Sequence, residues 1–241
     1  RYMPLQRYIA DDLTHFVGRH LNGDEEYEEK QYDLLVNILK QGILGKSEKR
    51  EVNWSYETQI CHDDSYLPGI VCFCDIPRED LEIHMEKYSK FGLAFSKKFM
   101  ITKGANPVFY VARNSVEYFG QHDNVGRDKI FNKQIAEGIY LLKEYRDMLL
   151  KSTRRKREKV NLPKIDNLAG FLFFHIYSFI KCYDEGLGHN DPDNYYMERE
   201  WRILGNLPFN IKDVVRIFLP ESFGAKFRAD IPEYTSELIF C

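Results

Sequence analysis

The sequence predicts a mixed α+β domain with a helical insertion from about Asp128 to Asp184. Three observations carry that expectation. Short, strand-like apolar runs occupy the first and last thirds of the chain, and helix-period patterns fill the middle. Hydrophobic residues make up 44% of the chain and aromatics 15%, enough to fill a core and to exclude a disordered protein. No internal repeat or low-complexity tract divides the 241 residues, so one domain spanning 1–241 is expected.

The elements follow in order. Arg7 to Gly18 reads as a short strand in which Thr14, Phe16 and Gly18 alternate against Leu13, His15 and Val17. Glu25 to Gln41 is helical, with Leu35, Ile38 and Leu39 as its apolar stripe and Gly42 as its stop. The polar stretch from Gly45 to Pro68 reads as a long loop with a docked Trp54. Ile70 to Cys74 is a buried strand, after which Asp75 is placed to cap a helix with Pro77 in its first turn. That helix presents Leu81, His84, Met85 and Tyr88 on one face. Two more strands follow, Gly92 to Ser96 and Pro107 to Ala112. Asp128 to Lys151 is a long amphipathic helix, and Leu168 to Tyr183 is apolar nearly all round, which predicts a buried helix. Trp201 to Leu204, Val214 to Leu219 and Glu237 to Phe240 close the chain as strands.

A formal net charge of −3 leaves no global basic field to recruit nucleic acid, so any such contact must be local. Arg154, Arg155, Lys156 and Arg157 form the one basic run suited to phosphates, although such runs are mostly solvated surface. Five cysteines, odd in number and unevenly spread, argue against a secreted disulfide framework. Cys61-His62 with Cys72 and Cys74 invites a zinc reading. No Cys-x-x-Cys pair exists, however, and thiols on an apolar strand behave as small hydrophobes, so no metal is expected. The start of the chain has no apolar leader core, and the longest apolar run is too short to span a bilayer. A cytoplasmic protein without membrane contact is expected.

The most chemically suggestive stretch is Glu198-Arg199-Glu200-Trp201-Arg202, which follows a turn-rich loop. In an extended segment Glu198 and Glu200 share a face, an arrangement suited to acid–base work or to gripping a ribose. The plainer reading is a charged strand end in which Arg202 neutralises one glutamate. His15 and His84 are more often satisfied core residues than catalytic ones. Gly18 permits close backbone approach, and Phe91 with Phe95 offers aromatic faces that either stack a planar ring or fill a core.

The order of these motifs resembles the AbiGi family of bacterial abortive phage-resistance proteins, labelled as the antitoxin-like partner of a two-gene system. The resemblance rests on Leu13-Thr14-His15-Phe16-Val17-Gly18, Cys72-Phe73-Cys74-Asp75-Ile76-Pro77, His84, Phe91 to Lys97, Gly104 to Val111 and Glu198 to Arg202. It implies a phage-defence role and a partner toxin or antitoxin, with a non-catalytic antitoxin or regulatory module that binds a partner toxin or DNA as the alternative to an enzyme. A looser resemblance is to the His–Tyr–Glu ADP-ribosyltransferase fold, a split-sheet architecture. That resemblance implies NAD as substrate, with His15 holding the nicotinamide ribose and Glu200 stabilising the cationic ribose as nicotinamide leaves. Glu198 would orient the acceptor, a nucleic acid or a translation component. Arg202 or Arg19 would take the pyrophosphate, and Phe16, Gly18, Phe91, Phe95 and Ser96 would line the pocket. The chain departs from that pattern at Ala94, where the fold has its stacking tyrosine, and at Phe16, where it has glycine.

Overall fold

The computed structural model describes residues 9–45, 69–112, 127–151, 162–188, 191 and 193–241, which fall into two compact units. The first unit draws on chain segments 1–47, 69–107 and 189–241, and the second on 48–68 and 108–188. The Asp128 to Asp184 stretch belongs to the second. Trp54, Cys61, His62 and the basic run at Arg154, Arg155, Lys156 and Arg157 lie outside the described residues.

In chain order the strands are β1 (Asp12–Phe16), β2 (Ile43–Leu44), β3 (Ile70–Cys74), β4 (Gly92–Ser96), β5 (Asn106–Pro107) and β6 (Phe109–Ala112). They continue with β7 (Ile180–Tyr183), β8 (Glu200–Leu204), β9 (Leu207–Pro208), β10 (Val214–Leu219) and β11 (Glu237–Phe240). The helices are α1 (Tyr27–Gln41), α2 (Glu82–Lys87), α3 (Lys97–Thr102), α4 (Arg127–Lys151), α5 (Leu162–Phe171) and α6 (Gly224–Asp230).

The first unit is a seven-stranded sheet in the order β11-β10-β4-β1-β3-β8-β5, joined by a small β2-β9 pair. All its neighbours run antiparallel except β10 and β11. Strand β1 shares five register pairs with β4, and β3 shares five with β8, but β1 meets β3 only at Thr14↔Cys74. The sheet is therefore two halves joined by a thin seam.

Alternation along the strands divides the apolar residues between two faces. Leu13, Val71, Phe73, Leu93, Phe95, Ile203 and Ile217 pack with α1, Met100 and Phe227 in the larger core. Cys74, Ala94 and Phe218 face the other way, onto Leu81, Phe16 and Met85. Helix α1 buries Leu35 and Leu39 of the expected stripe together with Tyr32 and Val36, leaves Ile38 only partly buried, and ends where Gly42 takes φ 64°. A Cβ there would lie 2.7 Å from the Phe209 carbonyl oxygen, so glycine alone fits. Gly18 is also left-handed, at φ 82°, and a Cβ on it would come 2.8 Å from Cγ of Gln31.

The second unit packs α4, α5 and the parallel pair β6-β7 around Val111, Ile135, Ile139, Phe173 and Ile180. Arg146 and Asp166 tie α4 to α5 at 2.7 Å. Here one expectation fails. The Leu168 to Tyr183 run is not one helix: α5 passes through a π-turn (Leu172–Ile176) and a 3₁₀ turn (Tyr177–Phe179) into β7. An apolar run without polar punctuation carries no period, so pairing with Phe109–Ala112 decided its final turn. Likewise Pro107 to Ala112 is not one strand, since β5 joins β8 and β6 joins β7. Cys72, Cys74 and Cys241 form no disulfide, whereas Cys182 is disulfide-bonded. No described helix is long and apolar enough to cross a membrane.

Candidate functional site

The Glu198–Arg202 stretch is not uniformly extended. Tyr195–Glu198 forms a 3₁₀ turn, Arg199 takes a left-handed φ of 44°, and the strand begins only at Glu200. The two glutamates therefore leave the backbone in different settings, contrary to the expected shared face. A non-glycine residue in that region costs on the order of 1–3 kcal/mol, which its surroundings must offset.

Asp75 supplies the offset. It does not cap a helix, because Arg78–Asp80 forms a 3₁₀ turn before α2 starts at Glu82. Its buried carboxylate instead accepts from the Ala10 amide at 3.2 Å, pairs with Lys97 at 2.8 Å and meets Arg199 at 3.4 Å. Its own amide donates to the Arg199 carbonyl at 3.2 Å. One side chain thus fixes the entry to β1, the start of α3 and the turn between the two glutamates.

Glu198 is closed from below by α2. Lys87 pairs with it at 2.9 Å, the two side chains being 8% and 9% exposed, and the Tyr88 hydroxyl donates to the same oxygen. The ammonium of Lys87 also sits 4.2 Å from the Tyr195 ring centre. The Tyr88 ring stacks at 7° on Phe16 and lies 4.9 Å under the Arg19 guanidinium. Burial, then the Glu198 charge, pushes the Tyr88 phenol well above its usual range, so it stays a donor. Glu200 pairs with Arg202 at 2.6 Å, side chains 5% and 3% exposed, which is the plainer reading of the motif.

The other candidates scatter. His15 donates through Nδ1 to the Cys72 carbonyl, 2.8 Å away, and its ring tilts against Phe73. The register chain Thr14↔Cys74 and Cys74↔Glu200 puts Glu200 on the Thr14 face. His15 lies on the opposite face, with Leu13 and Leu93. Phe91 and Phe95 are fully buried in the larger core. Ser96 caps α3 by accepting from the Phe99 amide. Around Tyr88 the fold does gather Phe16, Arg19 and Glu198. Lys87, the Tyr88 hydroxyl, Tyr195 and the clamp role of Asp75 were not legible as one site. The nearest hint was Tyr88 closing the apolar face of its helix.

Burial also lowers the pKa of both His15 and His84; the Cys72 carbonyl opposes this at His15, and the Glu198 charge opposes it at His84. The folded state thus binds fewer protons than the unfolded one. Stability is full above the unfolded value near 6.5 and falls as pH drops towards the folded values. Unfolding free energies from urea titrations at pH 7.5, 6.5 and 5.5 should decline, by up to about 1.4 kcal/mol per pH unit for each histidine. In His84→Gln the slope should be shallower, and an unchanged slope would remove His84 from the account.

A family model described as "Putative abortive phage resistance protein AbiGi, antitoxin" matches residues 45–228. A curated relative, "Abortive phage resistance protein AbiGi" of Lactococcus lactis subsp. cremoris, is 43% identical over 56 residues. That match covers 21% of this chain and 22% of the relative, so the chain spans about a fifth of that relative's length. No solved structure matches. Because the family model covers well over half of the residues, the chain belongs to the AbiGi family of putative abortive phage-resistance proteins.

Proposed function

We propose that this chain is the non-catalytic, partner-binding member of an abortive-infection pair, an antitoxin-type module that engages a toxin protein. The carrying observation is that both glutamates are already neutralised by buried cations, Glu198 by Lys87 and Glu200 by Arg202. A carboxylate that must stabilise a developing cation has to present an uncompensated charge to it. The opposed faces of His15 and Glu200 support the same reading, as does the word antitoxin in the family description. Calorimetry with NAD up to millimolar should give no heat, and co-expression with the second protein of the pair should give a stable complex. Absence of that complex would overturn the proposal.

A second reading, an NAD-dependent ADP-ribosyltransferase acting on nucleic acid or a translation component, is favoured by the seam. There the His15 strand meets β3 at a single register pair, as in a sheet about to split. Arg154, Arg155, Lys156 and Arg157 would dock the acceptor in that case. Micromolar to sub-millimolar NAD affinity that His15→Ala abolishes would establish it and displace the first.

A further inference from the structure

A cavity of about 440 Å³ opens in the first unit between α2 and the segment from Asp191 to Arg199. His84 lines it at 6% exposure, and its Nδ1 is buried without a hydrogen-bond partner. A buried polar nitrogen left unmatched costs roughly 1–3 kcal/mol, so something of matching chemistry is expected to meet it. Burial keeps the imidazole neutral, which leaves one ring nitrogen as an acceptor.

The rim is acidic beyond what its own cations match. Glu79 is taken by Arg78 and Glu198 by Lys87, while Arg199 shares Asp75 with Lys97. Asp80, Glu82 and Asp191 also line the cavity, and none of the three has an ion-pair partner. Ile76, Pro77, Ile83 and Met197 supply the apolar part of the lining, Ile83 and Met197 from exposed positions. An apolar lining around a buried ring nitrogen, with excess negative charge on the exposed Asp80 and Glu82, complements a cation on a hydrocarbon stem. A guanidinium suits it better than an ammonium, because its planar fork donates in several directions and sheds water more easily.

We infer that this cavity receives an arginine side chain of the protein partner. The origin of that side chain rests on the partner-binding reading, whereas the chemistry of the cavity does not. The probe is Nα-acetyl-arginine amide, followed by amide chemical shifts of the intact chain, with the uncharged citrulline analogue and acetate as controls. Saturable shifts at α2 and around Asp191–Arg199 are expected, with at least tenfold weaker binding of citrulline and none of acetate. Asp80→Asn with Glu82→Gln, both exposed and unpaired, should weaken the arginine probe at least fivefold while leaving the thermal midpoint unchanged. The same double variant should weaken the complex with the second protein of the pair at least tenfold. Equal binding of citrulline, preference for acetate, or indifference to the double variant would overturn the cavity assignment, even where the partner still binds. Saturable arginine binding with an unaffected complex would overturn the partner as its source. Failure of the complex itself, with the cavity intact, would instead remove the antitoxin-type reading.

Discussion

Arg202→Met should destabilise the first unit by about 3–5 kcal/mol, measured by urea unfolding. The substitution leaves the Glu200 carboxylate inside the unit, 5% exposed, without the guanidinium that now lies 2.6 Å from it. Glu200→Gln should cost a similar amount for the mirror reason, since Arg202 is 3% exposed and would keep its charge. The double variant is the informative one. Removing both charges together should recover most of the loss, because a buried pair exchanged for neutral side chains of similar size is often close to energetically neutral. Non-additivity of 2 kcal/mol or more, on the order seen for residues in direct contact, would mark the pair as a structural unit. If Arg202→Met instead cost less than about 1 kcal/mol, Glu200 would be solvated and available for chemistry, and the transferase reading would regain its central residue.

The elements that could be read in advance are those whose pattern is strictly local. The α1 stripe, the Ile70–Cys74 strand, the long α4 helix and the three late strands each declare themselves by period and by a clear stop. Gly42 was legible because a helix stop needs a left-handed residue there, and the fold supplies a second reason in the Phe209 carbonyl. The run from Leu168 to Tyr183 was not legible, because nothing in an unbroken apolar sequence says where helix gives way to strand. Only the distant Phe109–Ala112 partner decides it.

The candidate site was half legible for a related reason. Neutralisation of one glutamate by Arg202 follows from two-residue spacing on a strand, so it could be anticipated. Closure of Glu198 by Lys87 and Tyr88 joins residues more than a hundred positions apart, and no local spacing reports it. The left-handed Arg199 broke the alternation on which the shared-face expectation depended. Its cause, the Asp75 clamp, is again long-range. Asp75 looked like a helix cap because aspartate is a favoured N-cap and Pro77, two residues on, suits a first helical turn, and tertiary partners overrode that preference. The separation of His15 from Glu200 is a matter of register, set by the single Thr14↔Cys74 pair and invisible to composition.

Phe95→Ala should cost about 3–5 kcal/mol, from lost apolar burial and the cavity left behind. The ring is fully buried, edge-on to Phe209 at 5.1 Å and to Phe73 at 6.3 Å, and stacked on Phe99 at 5.6 Å. Those geometries add about 0.5–1.5 kcal/mol per pair beyond the area term, so three neighbours lose an aromatic partner at once. For a chain of this size, each kcal/mol lowers the thermal midpoint by roughly 2–4 °C, and a fall of about 6–20 °C is expected. Phe95→Leu retains most of the volume and should cost distinctly less. The comparison bears on function because Phe95 sits in the Gly92–Ser96 strand, to which the transferase reading would assign stacking of the nicotinamide. A ring kept for a ligand faces a cleft, so its removal would impair binding and leave the midpoint nearly unchanged. A ring enclosed by Phe73, Phe99 and Phe209 has no free face to offer, and its removal should register in stability first.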